Sequence, residues 1–169
     1  MSGLAVFSAD QKYRYRLERF TGLLDASGCV NFIMLNPSTA DAEKNDPTVR
    51  RCIGYARLWR YHRLIVTNLF ALRSTDPAAL QTELDPIGPD NDRHLATAAA
   101  FADRIVAAWG NHGALRDRSS AVLDLLDQYQ VQTFGLTKAG EPVHPLYQRQ
   151  AALLIPLQQN NEAPNEAQE

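Results

Sequence analysis

The chain has 169 residues, of which 45% are apolar and 21% charged, enough for one packed domain. Disorder, collagen and coiled coil are excluded as descriptions of the whole chain. The net charge of −2 shows no global basicity, so any contact with nucleic acid must come from a local patch.

Taken in chain order, Tyr13-Arg14-Tyr15-Arg16-Leu17 alternates aromatic or apolar residues with arginine, which is strand period. Its charged face predicts an edge or near-edge strand. Val30–Leu35 is a nearly continuous apolar run, which suits a strand covered on both faces, and it stops at the turn signal Asn36-Pro37-Ser38. A helix is predicted from Asp46-Pro47, an N-cap acid followed by proline, with Val49, Cys52, Ile53 and Ala56 as its apolar stripe. Leu64–Phe70 reads as a second buried strand. Residues 74–89 are loop-rich, with a short helix over Pro77–Leu80. A helix follows from Pro89-Asp90-Asn91 to Phe101. Arg104–Gly110 and Val131–Leu136 read as the third and fourth buried strands, separated by an amphipathic helix over Arg116–Tyr129. A last helix is predicted from His144 to Leu157. The polar stretch 158–169 carries no basic residue and reads as a disordered tail after a single domain over 1–157.

Strand, then helix–strand three times, then helix is the signature of an α/β fold with a parallel sheet covered on both faces. In such sheets ligands bind beyond the carboxyl ends of the strands. The residues there are Asn36–Asp41, then Asn68 and Arg73–Asp76, then Trp109–His112, then Lys138 and His144-Pro145. Asn68 lies in an apolar strand, so its amide needs partners. Lys44–Arg73 holds seven basic residues against one acid, a local net of +6. Arg50 and Arg51 fall in the first turn of a helix, where cations oppose the macrodipole unless an anion uses them.

Cys29 and Cys52 are far apart and read as reduced core thiols. No histidine spacing suggests a metal, no glycine pattern suggests a dinucleotide or a P-loop, and no cofactor is expected. The chain shows no signal peptide or membrane span, and a soluble, cytoplasmic protein is expected.

The strings MLNPSTAD, NDPTVRRC, VTNLFALRSTDP, AAWGNHG and GLTKAGEPVHPLY resemble the family known as domain of unknown function 1643, up to about Leu157. More distantly, the order of Asn36-Pro37, Thr67-Asn68, Trp109-Gly110 and His144-Pro145 resembles the uracil-DNA glycosylase superfamily. That resemblance implies a three-layer α/β/α sandwich with a four-stranded, mainly parallel sheet. It also implies hydrolysis of the N-glycosidic bond of a modified or damaged base, in DNA or in a nucleotide. Asn36 would then position the attacking water, with Asp41 or Asp46 as alternative activators. His144 would donate to the departing base, Asn68 would read the base edge, and Pro37 and Trp109 would line the base site. Ser38, Thr39, Arg50, Arg51, Arg73, Lys138 and Tyr147 are candidates for phosphate or nucleic-acid contact. Ser38 stands where the glycosylases carry glycine, and Leu146 where they carry serine. The alternative is a nucleotide- or nucleic-acid-binding module on the same scaffold without cleavage.

Overall fold

The computed structural model describes residues 3–157, so the tail over 158–169 lies outside the described residues. The strands are β1 (Gly3–Phe7), β2 (Arg14–Phe20), β3 (Cys29–Met34), β4 (Arg63–Asn68), β5 (Arg104–Ala107), β6 (Val131–Thr133) and β7 (Ile155–Pro156). The helices are α1 (Pro47–Leu58), α2 (Ala79–Thr82), α3 (Asn91–Phe101) and α4 (Arg118–Leu125), with 3₁₀ turns at Asn111–Asp117 and Pro145–Tyr147.

The four apolar runs pair as the parallel centre of one sheet, in the order β4-β3-β5-β6. The expectation of four strands is corrected to seven. Antiparallel β2 and β1 extend the sheet beyond β4, and antiparallel β7 closes it beyond β6. Of the added strands, β2 is charged and β7 is two residues long, and such strands carry little apolar signal.

Of two readings of single elements, one holds and one is corrected. β2 is a near-edge strand, with Gly3–Phe7 pairing along its outer side. Its charges are therefore buried rather than solvated: Glu18 pairs with Arg16 at 2.8 Å and also with Arg63. The last segment is not a helix. Gln148 is extended after the turn at Pro145, and Ile155-Pro156 pairs with Gln132-Thr133, covering the open edge of β6.

Strand alternation sorts the core into two layers. Val30, Phe32 and Met34 of β3, with Val66 and Val106, pack against Val49, Cys52, Ile53 and Ala56 of α1. An aromatic stack strengthens this side, with Phe32 and Trp59 rings 5.9 Å apart and nearly parallel. Ile33, Ile105 and Ala107 face the other way, toward Leu95 and Ala99 of α3 and Val122 of α4. Cys29 and Cys52 are both buried free thiols, and burial pushes the Cys29 thiol up to about 12. Among the described residues no helix is long and apolar enough to cross a membrane.

Chain order and sheet order diverge at β3. From β3 the chain passes over α1 to β4 on one side, then crosses back to β5 on the other. The loops leaving β3 and β5 therefore part, and a crevice opens beyond their carboxyl ends.

Candidate functional site

A cavity of about 500 Å³ occupies that crevice, within the size range of small-molecule sites. Its apolar wall is Met34, Val49 and Val66, the rim of the α1-side core. Its polar wall collects Asn36, Ser38, Asp46, Asn68, His144 and Tyr147 with Trp109, Gly110, Asn111 and His112.

Asn36 leaves β3 and is fixed by its amide. Nδ2 donates to Ser74 O (3.0 Å) and Pro37 O (3.2 Å), and Oδ1 accepts nothing among the described residues. An acceptor is thus held ready at the cavity mouth. Asn68, the last residue of β4, is 1% exposed, and neither Nδ2 nor Oδ1 has a partner among the described residues. Buried carboxamides nearly always find partners, so this donor and acceptor pair stands out. The backbone around it is held from behind: Asn91 Nδ2 donates to Asn68 O at 2.9 Å.

His144 caps the 3₁₀ turn that follows it. Its Nδ1 accepts from Leu146 N–H at 3.2 Å, so the ring proton of the neutral form resides on Nε2. Burial lowers the His144 pKa, with Asp46 opposing weakly through space. A neutral ring with a free Nε2–H donor is the result. Asp46 is the N-cap of α1, its Oδ1 accepting from Val49 N–H at 2.8 Å.

Trp109 is a wall rather than a donor to a ligand. Its indole N–H donates to Glu141 Oε2 at 2.6 Å, and Ser119 Oγ donates to Glu141 Oε1 at 3.1 Å. A Cβ at Gly113 would overlap the indole, and Gly110 turns the chain at φ +73°. Tyr147, 83% exposed, stands over the rim.

Other candidates lie elsewhere. Pro37 is buried outside the cavity lining, Thr39 is exposed, and Lys138 is exposed on the 137–140 turn. Asp41 caps its own loop, accepting from Glu43 N–H and Lys44 N–H, and these bonds lower its pKa. Arg50 and Arg51 line a separate cleft of about 170 Å³ with Tyr55 and Gln150. Most of the basic stretch is structural. Arg51 donates to Gln148 O, Arg57 to Thr21 O and Arg73 to Gln11 O, while Arg60 pairs with Asp25 and Arg63 with Glu18. Lys44 and Arg50 are exposed.

Two site residues escaped the sequence reading. Glu141 sits in a polar turn with no periodic signal. Arg14 belongs to the charged face of the Tyr13–Leu17 alternation, and it is buried in the cavity wall. Burial pulls its guanidinium down to about 10. Among the described residues no group of three or more His, Cys, Asp or Glu could hold a metal ion.

Compared with protein-family models, residues 14–146 match a family described as protein of unknown function (DUF1643). No curated protein and no solved structure matches the chain significantly.

Proposed function

We propose that this chain, which belongs to the DUF1643 family, hydrolyses the N-glycosidic bond of a modified or damaged base in DNA or in a nucleotide. The fold is read as a variant of the uracil-DNA glycosylase scaffold, at work in the cytoplasm. The observation that carries this reading is the unpartnered carboxamide of Asn68 on the wall shared with Asn36 and His144.

A nucleobase edge offers a donor beside an acceptor, and one carboxamide satisfies both. The target nucleotide leaves its stack and enters the cavity. Its C1′–N bond lengthens, and the bonding electron pair moves onto the base. His144 Nε2–H donates to the base oxygen where this charge collects, an electrostatic contribution of about 3 kcal/mol. Water held by Asn36 Oδ1 adds to the electron-poor C1′, and its proton passes to Asp46 or to solvent. A carboxamide is a weak base, so leaving-group stabilisation does most of the work. Tyr147 and Leu146, exposed beside His144, are placed to fill a gap left in a duplex.

The test is incubation with oligonucleotides carrying uracil, hypoxanthine or modified pyrimidines, scoring abasic sites. The expected result is activity on at least one of them, lost in Asn36→Ala and His144→Ala. Binding without abasic sites assigns the chain instead as a nucleotide- or nucleic-acid-binding module. Absence of binding at low salt overturns both.

A further inference from the structure

Arg14 is a site residue that the glycosidic reading leaves unused. It is 2% exposed and lines the same cavity as Asn68. Among the described residues its side chain donates one hydrogen bond, Nη1 to Ala40 O at 2.6 Å, and its buried Nε has no acceptor. No carboxylate of the described residues forms an ion pair with it, and Asp46 and Asp41 act on it only through space.

Arg19 on the same strand shows what a settled buried guanidinium looks like. It is equally buried, yet Nε donates to Asn45 Oδ1 (2.7 Å), Nη1 to Glu18 O (2.8 Å) and Nη2 to Lys44 O (3.1 Å) and Asp41 O. A guanidinium has five N–H donors, and a buried charge without partners is costly. Arg14 therefore lacks an acceptor, and its place on the cavity wall says where that acceptor arrives.

We infer that Arg14 anchors an anionic group of the ligand, a carboxylate or a phosphate, through Nε and Nη2. These form the edge that takes two oxygens at once. The inference rests on the proposed reading of the cavity and narrows its substrate class. The ligand is a base bearing a carboxylate, or a nucleotide whose own phosphate enters the cavity, rather than a neutral nucleoside. Asp46 on the wall makes the orientation one-sided, with the anion at Arg14 and the base edge at Asn68.

The experiment is calorimetric titration of the full chain with four probes: 2′-deoxyuridine, 2′-deoxyuridine 5′-monophosphate, 5-carboxyuracil and inorganic phosphate. One anionic organic probe is expected to bind at least about tenfold tighter than deoxyuridine. Which of the two does so identifies the source of the anion. Arg14→Gln is expected to abolish the preference and leave deoxyuridine affinity within about twofold. Arg14→Lys should retain part of it. Equal affinity for neutral and anionic probes overturns the inference while leaving the glycosidic reading standing. So does an equal loss for both in Arg14→Gln. Phosphate binding that depends on Arg14, without any base or nucleotide binding, supports the anchor and overturns the glycosidic reading. No binding of any probe overturns both. If Arg14→Gln does not fold, the Arg14 Nε–H proton resonance of the parent chain decides: it should shift downfield on titration with the tighter anionic probe and not with deoxyuridine, and an unmoved resonance overturns the inference.

Discussion

The two ends of the parallel strands treat buried polar groups in opposite ways. At the amino end, a cleft of about 250 Å³ lies among Phe20, Cys29, His62, Arg63, Phe101 and Asp103. There several polar atoms are engaged: Asp103 Oδ2 accepts from Cys29 N–H at 2.8 Å, Arg63 Nε donates to Glu18 Oε2 at 2.8 Å, and Thr21 Oγ1 donates to Tyr61 O at 2.9 Å. At the carboxyl end, Asn68 is wholly unpartnered and Arg14 largely so. The same strands run through both ends, so burial alone does not explain the difference. One end engages its polar groups in holding the fold, and at the other end some lack a partner among the described residues.

Removing a carboxyl-end group should cost activity and little stability. Asn36→Ala and His144→Ala are each expected to lower the rate of abasic-site formation about 10²–10³-fold. His144→Ala should melt close to the parent, and Asn36→Ala, which also loses the amide bonds to Ser74 O and Pro37 O, should lose about 1–2 kcal/mol. A collapse of stability in either variant would erase the contrast.

The amino end should behave in the reverse sense. Glu18→Gln leaves Arg16 and Arg63 without their carboxylate. Breaking a buried pair costs about 3–5 kcal/mol, and the partial exposure of both arginines favours the lower end. Urea unfolding should show this loss while ligand affinity is unchanged.

Asn68→Leu sets the two measurements directly against each other. The orphaned amide already costs the fold its desolvation, so an isosteric apolar side chain should be neutral or stabilising by about 1 kcal/mol. Binding of a base or nucleotide should disappear at the same time. Lower stability together with intact binding would show that the amide serves the core.

Asp46 belongs to both categories, and two variants separate its roles. Asp46→Ala removes the α1 cap and should cost about 1 kcal/mol, whereas Asp46→Asn keeps the cap and removes only the charge. A rate loss in Asp46→Asn at full stability would assign the carboxylate to water activation.

The smallest effect concerns pH. Burial depresses the His144 pKa below the ordinary histidine value, so the unfolded chain binds the proton more readily. Stability linked to His144 is then full above the ordinary value near 6.5 and falls as pH drops toward the depressed one. His94 is depressed in the same direction, so the contribution is read as the difference between parent and His144→Gln. Across pH 7.5 to 5 the melting temperature of the parent should fall relative to that of His144→Gln as the pH drops. Activity should likewise persist somewhat below pH 6.5, because the neutral ring is the donor.

Much of this was legible in the chain itself. Continuous apolar runs announced β3, β4, β5 and β6, because a strand covered on both faces needs apolar residues on both. Asp46-Pro47 announced α1 because capping chemistry is local, and Asn68 stood out as an amide in an apolar strand. The residues that follow these strands therefore group together in the sequence itself. Asn36, Asn68, Trp109 and His144 do share one cavity.

Only the tertiary structure decided the rest. Whether the Tyr13–Leu17 alternation faced water depended on β1 lying beside it, a cross-strand pairing that a period of two cannot express. That pairing buried Arg14 and Glu18, and the partner of each was then a matter of three-dimensional supply. Glu18 found Arg63, 45 residues away, and Arg14 found one carbonyl. The +6 stretch shows the same dependence, since most of its arginines close contacts with distant backbone or acids. Sequence fixes which groups need partners through local chemistry. Which of them go without is decided by packing, because a partner is a position in space.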